Sequence, residues 1–203
     1  MTYNNNLFPK DSKITRNDRM KLNCHNSFVL WFTGFSGSGK STLADLLEEK
    51  LFNKNIRTYI LDGDNIRSGM NADLGFSRKD REENIRRISE IAKLFVDAGL
   101  VVITVFISPY RSDRERARSM FDKGEFIEVY VRCPLTVCED RDVKGLYKKV
   151  KEGKVKEFTG KTDPYEEPIS PEIIIDTDRD DINLCVEKIL NYLNGHNVLK
   201  IVD

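Results

Sequence analysis

Gly34-Phe35-Ser36-Gly37-Ser38-Gly39-Lys40-Ser41 matches the phosphate-binding pattern G-x-x-x-x-G-K-[ST] at every fixed position. A strand-like apolar run, Val29-Leu30-Trp31-Phe32, precedes it, and a helix-like stretch from Leu43 to Leu51 follows Thr42. In that setting the glycines let the backbone curl until successive N–H groups point inward at phosphate oxygens, and the helix opening at Lys40 adds the positive end of its dipole. Lys40 is placed to reach the β- and γ-phosphates of ATP, and Ser41 to offer its hydroxyl to magnesium. Gly34, Phe35, Ser36, Gly37, Ser38, Gly39, Lys40, Ser41 and Thr42 are therefore the expected ATP site.

Outward from the loop, short apolar runs at Phe28 to Thr33, Arg57 to Leu61, Val101 to Ile107, Ile127 to Val131 and Ile173 to Ile175 read as buried strands. Helical spacing lies between them. Leu43, Leu46, Leu47 and Leu51 mark one helix, and Ile85, Ile88, Ala92, Phe95 and Val96 mark a longer one closing at Gly99. Two more are expected at Asp113 to Phe121 and Ile182 to Leu193. Alternation of this kind predicts an α/β fold: a five-stranded parallel sheet in a three-layer arrangement, helices on both faces, with ligands at the carboxyl ends of the strands.

A chain of 203 residues suits one domain spanning 1–203, with the polar start, 1–17, as a flexible arm. Lys plus Arg and Asp plus Glu both number 33, so no pervasive positive field points to nucleic acid. Cys24, Cys133, Cys138 and Cys185 form no C-x-x-C pair, which suggests free thiols and a cytoplasmic setting. No apolar run approaches the roughly 20 residues that cross a bilayer, so no membrane partner is expected.

The residues just past the strands hold the candidate chemistry. Asp62-Gly63-Asp64-Asn65-Ile66-Arg67 follows the second strand: one carboxylate can hold magnesium through water, the other can accept a hydrogen bond from a substrate hydroxyl, and Arg67 can pair with an anion. On the next helix Arg81 falls in line with Ile88, Ala92 and Phe95, with Asn84 at the edge of that stripe. Polar groups on an inward face need partners, either an anionic ligand or an internal ion pair. Phe76 precedes the Ser77/Asp80 capping pattern and is either a hydrophobic staple or a stacking platform.

The third strand ends in Ile107-Ser108-Pro109-Tyr110, without the Walker B acid that often helps hold magnesium. That absence points away from a motor ATPase and toward a small-molecule kinase of the P-loop fold, with a nucleoside or sugar among the possible acceptors. Residues 142–168 carry seven lysines and few apolar residues, which fits a mobile lid that excludes water from the transferring group.

Taken together, the glycine loop, Asp-Gly-Asp-Asn-Ile-Arg, Gly-Phe-Ser-x-x-Asp-Arg-x-Glu-Asn-Ile-Arg-Arg, Phe-Ile-Ser-Pro-Tyr, Asp-Val-Lys-Gly-Leu-Tyr-Lys-Lys and Phe-Thr-Gly resemble the adenylyl-sulfate kinases, in order and spacing, from about Ser27 to Asp178. The resemblance implies transfer of the γ-phosphoryl group of MgATP to the 3'-hydroxyl of adenylyl sulfate, in a protein that commonly forms homodimers. It implies that Asp64 orients or deprotonates the hydroxyl and that Asp62 sits nearer magnesium. Arg67, Arg81 and Asn84 are implied to bind the phosphosulfate side, and Phe76 and Phe158 to sandwich the adenine. Ile107, Ser108 and Lys144 match further substrate contacts, and Ser108 matches a serine described as phosphorylated in some members, which makes it a candidate catalytic intermediate, though direct in-line transfer needs none. Lys161 departs from the family pattern, placing a charge where an apolar residue is usual.

Overall fold

The computed structural model describes residues 12–200. Five parallel strands form one sheet: β1 (Phe28–Thr33), β2 (Thr58–Asp62), β3 (Val101–Val105), β4 (Phe126–Arg132) and β5 (Ile173–Asp176), in the order β2-β3-β1-β4-β5. The expected strands are all present. Helix α2 (Lys40–Phe52) follows β1, α4 (Arg78–Asp97) precedes β3, α5 (Arg111–Arg118) follows it, and α8 (Ile182–Gly195) is the last helix of the described residues. Shorter helices α1 (Arg16–Asn23), α3 (Gly63–Ser68), α6 (Leu135–Arg141) and α7 (Leu146–Lys151) were not legible as periodic patterns.

The alternation of β1 builds the layers. Phe28, Leu30 and Phe32 point to one face, where Leu43, Leu47 and Leu51 of α2 and Val186, Ile189 and Leu193 of α8 cover them. Val29 and Trp31 point to the other, against Ile85, Ile88, Ala92 and Val96 of α4 and Ala117 of α5. Strands covered on both faces are nearly continuous apolar runs, and all six β1 residues, Thr33 the one polar member, are buried. Helix α4 begins at Ser77, whose hydroxyl accepts from the Asp80 amide at 3.2 Å, half of the reciprocal box the sequence suggested.

The arm expected over residues 1–17 lies outside the described residues as far as residue 11, and its last two residues belong to α1. Thr15 and Asp18 form a reciprocal capping box that starts α1. Arg16 then fixes that helix to the sheet through Ser27 and through Glu125 at 2.6 Å.

Candidate active site

The carboxyl ends of β1, β2, β3 and β5 open on a single cavity of about 710 Å³. That size suits substantial organic ligands. The loop after β1 forms one wall. Gly34 (φ +151°) runs against the Val131 carbonyl, and at Gly37 (φ +78°) a side chain would meet the Cys138 carbonyl at 2.9 Å, so both positions require glycine. Lys40 is buried, donating to the carbonyls of Gly34 at 2.8 Å and Phe35 at 2.6 Å. Burial pushes its pKa down to about 8.

Asp62 ends β2 and caps α3, one carboxylate oxygen accepting from the Asp64 amide at 2.9 Å. Its other oxygen is 3.5 Å from the Ser41 hydroxyl. Two hard oxygen donors facing the cavity fit a magnesium ion that keeps most of its coordination for water and phosphate. Among the described residues no three acidic, histidine or cysteine side chains are arranged to hold a metal ion by themselves, so a dedicated all-protein cage is not built here.

Across the cavity, Asp64 is exposed and pairs with Lys144. Phe76 is half-exposed and Phe158 buried, and both line the cavity; Phe158 packs edge-on to Tyr147 at 4.9 Å. Arg67 donates to the Gly75 carbonyl at 2.8 Å and lays its guanidinium 4.6 Å over the Phe76 ring. Arg81, buried as its inward spacing required, donates to the Phe76 carbonyl, the Thr159 hydroxyl, the Glu157 carbonyl and Asp163. Asn84 accepts from Asn71 at 3.0 Å. Of the two partners left open for Arg81 and Asn84, this conformation uses the internal one, and Arg81 thereby fastens the Phe158 turn to α4. Ile107, Ser108 and Pro109 form the floor. The Ser108 hydroxyl accepts from the Trp31 indole at 3.2 Å.

An adenylylsulphate kinase family model matches residues 26–176. A probable adenylyl-sulfate kinase of Bacillus subtilis is 55% identical over 199 residues, 98% of this chain and all of that one. The chain belongs to the adenylylsulphate kinase family. Among solved structures, the APS kinase CysC of Mycobacterium tuberculosis in complex with AMPPNP and APS is 44% identical, with a TM-score of 0.79 over 83% of this chain and 98% of that one. A hexameric APS kinase from Thiobacillus denitrificans is 30% identical, with a TM-score of 0.66 over 89% of this chain and 31% of that one.

Several cavity-wall residues of this family member escaped the sequence reading. Arg141, at the end of α6, donates to the Thr177 carbonyl at 2.7 Å and touches the Gly37 carbonyl at 3.4 Å. Thr177 in turn donates to Ser38 at 2.8 Å, and Tyr147 donates to the Ser36 carbonyl at 2.8 Å. The rule that chemistry follows strands would have found Thr177, immediately after β5. Arg141 and Tyr147 carry no such signal, because their positions depend on how two short helices fold back over the glycine loop.

Proposed function

We propose that this protein is an adenylyl-sulfate kinase that transfers the γ-phosphoryl group of MgATP to the 3'-hydroxyl of adenylyl sulfate, giving 3'-phosphoadenylyl sulfate and ADP. The observation that carries the reading is one cavity with Lys40 on one wall and Asp64, Phe76 and Phe158 on another. A phosphate cradle facing a carboxylate and two aromatic rings suits a donor nucleotide opposite an acceptor that also carries a flat base.

In this reading the backbone amides of Gly34 to Thr42 hold the donor phosphates. Lys40 leaves its loop carbonyls to follow the γ-phosphoryl group. Ser41 and Asp62 would hold magnesium, which neutralises charge on the donor phosphates when bound. Asp64 accepts the hydrogen bond of the 3'-hydroxyl and draws off its proton as the oxygen attacks in line. Arg67, Arg81 and Asn84 supply the polar wall for the phosphosulfate, Arg81 exchanging Asp163 for the substrate anion. Phe76 and Phe158 grip the adenine, while Ile107, Ser108 and Lys144 complete the acceptor side. Residues 142–168 act as the lid of this one domain, whose setting is the cytoplasm.

We also infer that the chain works as a homodimer, which the family's capacity to assemble, as in the hexameric Thiobacillus protein, supports. Light scattering on the purified protein tests that part. The activity itself is tested by incubating the protein with MgATP and adenylyl sulfate and separating the nucleotides. Formation of 3'-phosphoadenylyl sulfate with matching ADP is expected. Phosphorylation of a nucleoside or sugar in its place overturns the acceptor assignment.

A further inference from the structure

The floor of the cavity is held in a strained shape by a residue that does not line it. Ser108 is buried and has φ +40°, a left-handed backbone conformation that non-glycine residues adopt only when their surroundings impose it. The surroundings that impose it converge on Arg114 of α5. Its Nη1 donates to the Ser108 carbonyl at 2.6 Å, its Nη2 to the Glu166 carbonyl at 2.7 Å, and its Nε to Glu128 at 2.7 Å. Arg114 is 3% exposed and Glu128 is 8% exposed. Three directions of one rigid, planar guanidinium thus fix three chain segments relative to one another.

Two of those segments are functional neighbours. One is the Ile107-Ser108-Pro109 floor, and the other is the end of the 142–168 segment, where it returns to the domain. The Glu166 amide donates to the Pro109 carbonyl at 2.9 Å, and the Tyr165 hydroxyl meets Thr33, which itself donates to the Ile107 carbonyl at 2.7 Å. The floor and the returning segment therefore form one braced unit around Arg114. A lysine could neutralise Glu128 but could not address both carbonyls from one plane.

We propose that Arg114 is a positioning residue for the phosphoryl acceptor: paired with Glu128, it holds the Ser108 floor and the returning end of the lid in register. This rests on the acceptor assignment above. Arg114 itself does not line the cavity and has no bond to the glycine loop, so its loss should leave the donor wall intact.

The test compares Arg114→Lys and Glu128→Gln with Val186→Ala, a substitution in the opposite core layer that lowers stability without touching the brace. In Arg114→Lys the KM for adenylyl sulfate should rise about ten- to a hundredfold, the range expected when an acceptor is misplaced. The Kd for MgATP should stay within about twofold of wild type. Amide exchange at Glu166, which needs no acceptor, should accelerate in Arg114→Lys and Glu128→Gln but not in Val186→Ala. Should Arg114→Lys fail to fold, Glu128→Gln carries the same comparisons. An unchanged KM together with unchanged exchange overturns the proposal, as does a parallel loss of ATP affinity. If wild type makes no 3'-phosphoadenylyl sulfate, the functional reading fails, while the exchange measurement still decides whether Arg114 braces the two segments.

Discussion

The ammonium of Lys144 lies 2.5 Å from a carboxylate oxygen of Asp64, joining the segment after α6 to the first turn of α3 across the cavity. Both side chains are more than half exposed, so the pair contributes only about 0–1 kcal/mol to stability. Its importance is placement: it brings a cation from the 142–168 segment to the carboxylate proposed to face the acceptor. Asp64→Asn keeps the shape but removes the proposed proton acceptor, and should lower kcat about 10²- to 10⁴-fold. ATP binding, which uses the other wall, should survive. Isothermal titration with MgATP and single-turnover assays check both halves, and near-normal turnover would remove Asp64 from the reaction.

A second prediction concerns pH. Burial lowers the Lys40 pKa from 10.5 to about 8, and phosphates at the loop favour its charged form. Below about pH 8 the lysine is charged with or without nucleotide, so ATP affinity should be flat. Above it the free protein loses the proton and must regain it on binding, so affinity should fall toward about tenfold per pH unit. The empty protein should behave oppositely. Its folded pKa lies below the unfolded value, so stability rises as pH climbs from about 8 toward 10.5. Nucleotide titrations and denaturant melts across this range check the two signs, and an affinity independent of pH up to about 9.5 would contradict the first.

A third concerns Ser108. Its hydroxyl is buried and already accepts from the Trp31 indole, which leaves it poorly placed to receive a phosphoryl group. Ser108→Ala strands that buried N–H and should cost about 1–3 kcal/mol of stability. Turnover should fall less than about tenfold, because in-line transfer needs no phosphorylated enzyme. Rapid quenching with labelled ATP checks the alternative. Label on Ser108 of the wild type, forming and decaying at the rate of turnover, would establish an intermediate there.

The parts of the fold legible in sequence were those governed by local pattern. The runs Phe28 to Thr33 and Val101 to Val105, apolar but for Thr33 and Thr104, required burial on both faces, and the glycine loop announced its own strand and helix. Arg81 was legible as an inward-facing charge, since helical periodicity places side chains without knowing their partners. The partners themselves were not legible. Asp163 lies 82 residues from Arg81, and Lys144 lies 80 from Asp64; such contacts depend on where loops return after leaving the sheet. Arg114 was invisible for the same reason, being one arginine among four in α5 until the fold brings Ser108, Glu128 and Glu166 around it.

Lys161 shows how such a return can absorb an unexpected charge. It sits in the Phe158 turn, where the family usually has an apolar residue, and it pairs with Glu139 of α6 at 2.5 Å. Helix α6 also carries Arg141, which touches the glycine loop at Gly37, so the pair links the Phe158 turn to the helix that meets that loop. Glu139 is 14% exposed and Lys161 is 34% exposed, a setting in which screening is incomplete and the pair is worth about 1 kcal/mol. Lys161→Ile should therefore loosen the base of the 142–168 segment without touching ATP affinity. Trypsin cleavage within that segment should be faster in the variant at low salt. Raising the salt should accelerate cleavage of the wild type toward the variant's rate and leave the variant almost unchanged. Equal cleavage rates at low salt would show that the turn is held by Arg81 and its apolar neighbours alone.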